Sequence, residues 1–207
     1  MLGLTIFGAG EACLVAAELG NSPWTVFAQG ISIQTPLNIG VATIVISFFV
    51  LLLWFPLHQR PGLGTICNAI WVGVALEAAL HVLPDDSALG YRWVLMLGGV
   101  ALVALGSGLY LTAALGPGPR DGLMTGLHRQ TGLSLRLVRT AIELTVLVIG
   151  FILGGTVGVG TVAFAIGIGP GVQFAVERLS TPEWRALERR RPRRRAAGGG
   201  NGDRGLS

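Results

Sequence analysis

Two charged side chains stand four residues apart within a long apolar stretch of the chain. Arg139 and Glu143 both lie within 133–153, and a spacing of four places them on the same face of a helix. Charged groups inside a membrane helix are costly, so they usually pair with each other or serve a solute or a proton. We expect this pair to face the protein interior, as a structural ion pair or as part of a solute or proton site.

Three further polar residues in apolar stretches are candidates for the same site. Glu77 and Gln173 each come 13 residues after a glycine, Gly64 and Gly160 respectively. Helices that enter a membrane from opposite faces would bring these two side chains to comparable depths, where they could line a cavity. The alternative is that Glu77 is protonated or bonds a neighbouring helix. Glu11, in the first apolar stretch, is a candidate of the same kind.

Arg120 and Asp121 follow Pro119 at the start of a predicted short helix. An acidic residue in the first turn is favourable because the N-terminal end of a helix is partly positive. The two residues could therefore cap and anchor the helix. They could also form an anion or lipid-headgroup site, in which Arg120 and the free helix N–H groups bind the ligand.

The sequence contains no pattern typical of an enzyme. Cys13 and Cys67 have no Cys or His partner at metal-ligand spacing. We find no phosphate-binding glycine loop and no nucleophile motif. We therefore expect no catalytic activity, no metal and no cofactor.

The composition is typical of a protein that is solvated by lipid. Hydrophobic residues make up 51% of the chain, charged residues 13%, and the mean hydropathy is +0.65. A soluble domain carries about 25% charged residues. The composition therefore predicts an integral membrane protein whose main partner is the lipid bilayer.

The chain also repeats itself at an offset of 96 residues. Gly20–Gly73 aligns without a gap on Gly116–Gly169, and 17 of the 54 aligned positions are identical. Each copy contains three long apolar stretches. An odd number of membrane spans in each copy would insert the second copy upside down, which is the inverted-repeat plan of many transporters.

The predicted fold is an all-α membrane domain over 1–180, with six transmembrane helices in two inverted three-helix repeats, 1–83 and 93–180. A short helix follows the first span of each copy, beginning at Pro23 or Pro119, and is either interfacial or re-entrant. A span needs roughly 20 apolar residues. The candidate spans are Leu2–Leu19, Leu37–Leu57, Gly64–Leu83, Trp93–Leu115, Leu133–Leu153 and Gly160–Leu179.

The arginines predict the orientation and a separate tail. With the N-terminus inside, 14 of the 15 arginines lie on the inner side and Arg92 lies outside, as the positive-inside rule requires. Both termini are then cytoplasmic. Residues 181–207 form an Arg/Gly-rich tail that we expect to be largely disordered. The tail could bind anionic lipid headgroups or simply set the topology, and we expect no nucleic-acid binding.

Specific motifs of the second copy resemble one bacterial family. They are the run from Gly118 to Met124 (GPRDGLM), the run from Val138 to Glu143 (VRTAIE), and Gly154-Gly155 followed by Gly158-Val159-Gly160-Thr161. The chain resembles the YczE/YyaS/YitT-type integral membrane proteins over about residues 4–180. In the first copy Thr25 stands where family members usually have aspartate. The resemblance implies a multi-pass protein of the bacterial cytoplasmic membrane.

Two functions fit these features. The first is a small permease or channel-like transporter for an unknown small solute. The alternative is a non-transporting accessory or regulatory factor for a membrane enzyme, a secretion system or a biosynthetic system. A polar cavity between the repeats would favour transport, and a sealed apolar interface would favour the accessory role. The glycine-rich surface also suits a homodimer.

Overall fold

The computed structural model describes residues 1–84, 88–113 and 116–180, and this part of the chain forms eight α-helices and no strand. The all-α prediction is confirmed, as is the short helix that follows the first long helix of each copy. The predicted tail, 181–207, lies outside the described residues. The helices are α1 Leu2–Ala17, α2 Pro23–Gln34, α3 Ile39–Leu52, α4 Leu63–Leu80, α5 Leu89–Thr112, α6 Pro119–Thr131, α7 Leu135–Ile152 and α8 Val159–Leu179.

Local sequence explains where several helices begin and end. The Asn38 side chain accepts a hydrogen bond from the backbone N–H of Val41 at the start of α3, which is the usual role of an N-cap residue. Helix α3 ends at Leu52, five residues before the predicted end at Leu57. Pro56 accounts for this difference, because a proline lacks an N–H and its ring clashes with the carbonyl four residues earlier.

The 96-residue repeat reappears in the helix boundaries. Helices α2, α3 and α4 begin at residues 23, 39 and 63, and α6, α7 and α8 begin at residues 119, 135 and 159. Each of the second set begins 96 residues after its counterpart. The two copies therefore share one local design, apart from α5, which has 24 residues where α1 has 16.

Helices α1 and α5 pack against each other in opposite directions. A Cβ atom on Gly10 would lie 2.9 Å from the carbonyl oxygen of Gly99, and one on Gly106 would lie 2.7 Å from that of Gly3. Arg92, near the start of α5, donates from Nε to the carbonyl oxygen of Ala17 at the end of α1, over 2.7 Å. The start of each helix therefore lies beside the end of the other.

Close contacts elsewhere also occur in pairs that the 96-residue offset relates. A Cβ atom on Gly8 would lie 2.7 Å from the Ala75 Cβ atom, and one on Gly171 would lie 2.8 Å from the Ala104 Cβ atom. Gly8 corresponds to Ala104 and Ala75 to Gly171 at the 96-residue offset. The contact between α1 and α4 is therefore repeated in the contact between α5 and α8.

The loop contacts are also related by the 96-residue offset: Gly20 lies close to Gly158, and Gly116 lies close to Gly62. Gly20 and Gly116 adopt similar φ angles, 116° and 119°. Glycine tolerates this positive φ far better than other residues do, so both copies make the same tight entry into their short helix.

Two apolar clusters form the core. The first lies among α2, α3, α6 and α7 and includes Trp24, Ile46, Trp54 and Met124. The second lies among α1, α5 and α8 and includes Leu14, Met96 and Ile168.

The described helices differ in how well they suit a membrane span. Helices α4, α5 and α8 are each long and apolar enough to cross a membrane. Helices α2 and α3 are long and apolar enough to cross a membrane only when they are counted as one segment. They are bent by 114° at their junction, as in a broken span or a re-entrant loop. Helix α1 is apolar but has 16 residues, and α7 contains Arg136, Arg139 and Glu143. The structure therefore supports several apolar membrane helices, a coarser result than the predicted six spans.

The glycine contacts between α1 and α5 predict how two Gly→Ala variants will behave. Gly10→Ala would place a methyl group 2.7 Å from the backbone nitrogen of Val103, whereas Gly98→Ala would meet no atom within 4 Å. Overpacking of this kind costs about 1–3 kcal/mol. We expect Gly10→Ala to melt at a lower temperature than the wild type in detergent and Gly98→Ala to show no loss. Equal melting temperatures for the two variants would contradict this packing.

Candidate functional site

A cavity of about 220 Å³ opens between the two copies of the repeat. Most of its lining residues occur in pairs that are 96 residues apart, so both copies contribute the same positions to its wall. The nine pairs are Phe7 and Val103, Glu11 and Ser107, Ser22 and Gly118, Pro23 and Pro119, Trp24 and Arg120, Thr43 and Arg139, Ser47 and Glu143, Asn68 and Phe164, and Val72 and Ile168.

The short helices α2 and α6 both direct their N-terminal ends to this cavity. Ser22, Pro23 and Trp24 line it from the start of α2, and 118–121 line it from the start of α6. The first turn of α2 is buried, whereas the end of α2 and the residues that follow it are partly or fully exposed. The N-terminal end of a helix carries roughly +0.5 of a unit charge. Two partly positive helix ends therefore meet at one polar cavity.

Glu11 occupies the N-terminal end of α2. Its carboxylate accepts hydrogen bonds from the Ser22 hydroxyl, at 2.9 and 3.1 Å, and from the Thr25 hydroxyl, at 2.7 Å. Its side chain is buried, with 2% of the residue exposed. Glu11 lies six residues before the end of α1, or about 9 Å along the helix. The start of α2 therefore lies beside a point of α1 that comes well before the end of that helix.

The start of α6 is held by different side chains. The Asp121 carboxylate accepts a hydrogen bond from the Tyr110 hydroxyl over 2.5 Å. The indole Nε1 of Trp54 donates to the carbonyl oxygen of Pro119 over 3.0 Å. An acidic group thus lies at the N-terminal end of each short helix. Helix α1 contributes Glu11 at the start of α2, and α6 contributes its own Asp121.

Arg120 lies between these two ends. Its guanidinium sits over the Trp24 ring, 5.0 Å from the centroid, a cation–π contact worth about 0.5–2 kcal/mol. The Glu11, Asp121 and Glu143 carboxylates lie within electrostatic range of it. The Arg120 guanidinium nevertheless makes no hydrogen bond or direct ion pair with any other described residue.

Arg139 and Glu143 form the predicted ion pair on α7 and line the same cavity. The Arg139 Nε and Glu143 Oε1 atoms are 2.9 Å apart, and the two side chains are 51% and 32% exposed. Ion pairs this exposed contribute about 0–1 kcal/mol to stability. The corresponding residues in the first copy, Thr43 and Ser47, are buried and donate to carbonyls of their own helix.

Glu77 and Gln173 do not meet, and neither lines this cavity. The Glu77 carboxylate accepts from the backbone N–H of Gly40 over 3.0 Å, while Gln173 is exposed and donates to Glu177 over 2.9 Å. The shared cavity lining expected of this pair is thus not what the structure shows. Glu77 instead bonds the neighbouring helix α3, where Gly40 allows a close approach, whereas the counterpart of Gly40 in the second copy is the bulky Arg136.

Sequence reasoning missed several cavity residues, among them Trp24, Tyr110, Thr43 and Ser47. Trp24, Thr43 and Ser47 could have been found by subtracting 96 from Arg120, Arg139 and Glu143. Tyr110 has no such signal, because its counterpart is an apolar leucine. No group of three or more His, Cys, Asp or Glu side chains in the described ranges is arranged to hold a metal ion.

Apolar helices around an internal polar cavity define an integral membrane protein, and comparison with known proteins agrees. Residues 1–177 match the family described as "Family of unknown function (DUF6198)", and the chain belongs to that family. No solved structure is significantly similar to it.

Relatives from two bacteria confirm the resemblance inferred from the motifs. An uncharacterized protein of Haemophilus influenzae is 45% identical over 174 residues, which cover 84% of this chain and 80% of the relative. The uncharacterized membrane protein YczE of Bacillus subtilis is 33% identical over 178 residues, 84% of this chain and 82% of YczE. The uncharacterized protein YyaS of Bacillus subtilis is 24% identical over 164 residues, 77% of this chain and 82% of YyaS.

The contacts of Glu11 predict a large difference between two glutamate variants at the same end of α1. Glu11→Leu would leave the buried Thr25 hydroxyl without its acceptor and Ser22 with only the Thr25 oxygen, and an unsatisfied buried group costs about 1–3 kcal/mol. Glu18, whose side chain is 74% exposed in its ion pair with Arg92, provides the matched control. We expect Glu11→Leu to lower the melting temperature in detergent markedly and Glu18→Leu to change it little. Comparable losses in both variants would contradict the capping role of Glu11.

Proposed function

We propose that this protein is a small permease or channel-like transporter that carries a small solute through the cavity between its two repeats, with no catalytic step. The main support is that the N-terminal ends of α2 and α6 converge on one polar cavity that both repeats line. Discontinuous helices whose ends meet near the middle of the membrane are the usual way in which transporters bind solutes.

The charge of the cavity argues for transport over an accessory role. Five charged residues line it: Glu11, Arg120, Asp121, Arg139 and Glu143. Ionisable groups within a membrane protein are costly and usually mark a solute or ion path. An accessory factor that only docks to a partner has no need of such a cavity, and a sealed apolar interface between the repeats would serve it better.

We further propose that the chain crosses the bacterial cytoplasmic membrane six times as two inverted repeats. The antiparallel contact between α1 and α5 supports this arrangement, since equivalent helices of inverted repeats run in opposite directions. The contacts exchanged by the 96-residue offset support it as well. In this arrangement α2 and α6 are re-entrant helices that enter from opposite faces, and the arginine distribution places both termini in the cytoplasm.

Filling the cavity tests the transport proposal. Ser107 lines the cavity and is 7% exposed, so Ser107→Phe would place a ring inside it. Val162 is 58% exposed on α8, and Val162→Phe makes a matched change on the outer surface. We expect liposomes that contain the wild type or Val162→Phe to accumulate a solute from a mixture of amino acids, carboxylates, sugars and amines, and Ser107→Phe to abolish that uptake.

The uptake assay is run with and without a pH gradient, and each variant's melting temperature is measured alongside it. Loss of uptake by a folded Ser107→Phe variant supports the cavity as the path. Equal uptake by folded Ser107→Phe and wild-type protein would refute that path. No protein-dependent uptake of any solute class would favour the accessory role.

Cysteine labelling tests the proposed topology. Val82, after α4, is 82% exposed and is predicted to lie outside, whereas Arg60, before α4, is exposed and is predicted to lie inside. A membrane-impermeant maleimide added to intact cells should label Val82→Cys and spare Arg60→Cys until the cells are lysed. The wild type, whose Cys13 and Cys67 are half-buried, gives the background. The reverse pattern would overturn the orientation.

A further inference from the structure

We propose that the cavity selects a small carboxylate and that Arg120 is the residue that binds it. This inference rests on the proposed transport function and names the class of solute. The observation that carries it is a cation in the cavity wall whose hydrogen-bonding groups are unused by the described protein. A guanidinium offers a planar fork of N–H donors that matches the two oxygens of a carboxylate.

The acidic groups around Arg120 are already engaged. Glu11 accepts from the Ser22 and Thr25 hydroxyls, Asp121 accepts from Tyr110, and Glu143 is paired with Arg139. Among the described residues of the cavity wall, Arg120 is the charged group that lacks a direct polar partner. A cationic solute would have to compete for carboxylates that already have donors, whereas an anionic solute would meet a free guanidinium.

The total charge of the lining does not oppose an anion. Three carboxylates face two guanidiniums, and the N-terminal ends of α2 and α6 add roughly +0.5 each. The sum is close to zero. An incoming carboxylate therefore meets a lining whose formal charges nearly cancel, and it lies against the one cation whose N–H groups have no direct polar partner within the described lining.

Trp24 provides a second and independent sign of a ligand. The residue is 6% exposed and lines the cavity beside Arg120, and its indole Nε1 has no hydrogen-bond partner in the described structure. A buried N–H without an acceptor costs free energy. Less than 1 Å² of this atom is accessible, so a bound oxygen anion supplies the missing acceptor only when the Trp24 ring shifts on binding.

The size and walls of the cavity restrict the rest of the solute. Its volume of about 220 Å³ is below the roughly 300–1,000 Å³ of drug-sized sites, so the solute is compact. Phe7, Val72 and Ile168 provide apolar wall that suits a short alkyl group. Propionate combines these properties and is a suitable probe.

Thermal denaturation of the full chain in neutral detergent tests binding apart from transport. A ligand that binds the folded state raises the melting temperature with its concentration. Sodium propionate is compared with sodium phosphate, propylammonium chloride and phosphatidylglycerol, all at constant ionic strength set with sodium chloride. We expect propionate to give a saturable rise that sodium chloride and propylammonium do not give. A response to phosphatidylglycerol alone would identify a lipid headgroup site and overturn the solute proposal, and a response to phosphate alone would overturn the carboxylate class.

Matched variants assign the binding to Arg120. Arg120→Gln should lose the propionate response, whereas Arg136→Gln, which alters an exposed arginine of α7, should keep it. Trp24→Phe keeps an aromatic ring beside Arg120 but removes the indole N–H together with part of the ring system, and we expect about fivefold weaker binding. If Arg120→Gln does not fold, Arg120→Lys replaces it, because lysine keeps the charge without the planar fork and should also bind more weakly.

The outcomes separate this inference from the proposed function. A propionate response that depends on Arg120, without uptake into liposomes, would uphold the binding site and refute transport. In a second outcome, liposomes take up an uncharged or cationic solute, Ser107→Phe abolishes that uptake, and propionate does not raise the melting temperature. That result would uphold transport and refute the carboxylate class. A propionate response that is unchanged in Arg120→Gln and Trp24→Phe would overturn the site assigned here.

Discussion

Two helices of this protein begin inside it, and the rest of the structure has to satisfy their N-terminal ends. The first N–H groups of any helix lack partners within that helix, and an apolar protein offers few acceptors and no bulk water. Glu11 reaches the start of α2 through the Ser22 and Thr25 hydroxyls, and Asp121 stands in the first turn of α6. Both carboxylates accept from side-chain hydroxyls, and their negative charge complements the partly positive helix starts. The cavity lies where the two ends meet.

Close helix packing makes the convergence possible. Gly3, Gly10, Gly99 and Gly106 let α1 and α5 approach until backbone atoms touch, which is how small residues act in membrane helices. Because α1 and α5 are equivalent helices of the two copies, their contact lies at the centre of the repeat. Both helices contribute to the cavity wall, α1 through Phe7 and Glu11 and α5 through Val103 and Ser107.

The two copies share a backbone plan but differ in the side chains that face the cavity. Trp24 in the first copy corresponds to Arg120 in the second, and the two side chains stack. Thr43 and Ser47 are buried and bond their own helix, whereas the corresponding Arg139 and Glu143 form an exposed ion pair. The repeat thus supplies the cavity, and divergence between the copies supplies its chemistry. This asymmetry gives the two sides of the cavity different chemistry.

The sequence alone determined the helices, the repeat, the membrane character and the family, because each depends on local composition, caps such as Asn38, or a fixed spacing along the chain. It also identified Glu11 and Arg139 as charged residues in apolar stretches and Arg120 as a candidate anion site at the start of a short helix. Only the tertiary structure decided which of them meet. It brought Glu11, Arg120 and Arg139 to one cavity, whereas Glu77 bonds Gly40 of α3 and Gln173 bonds Glu177 within α8. The shared cavity and the bond between Glu77 and Gly40 arise from contacts between residues far apart in the chain, and no local pattern encodes them.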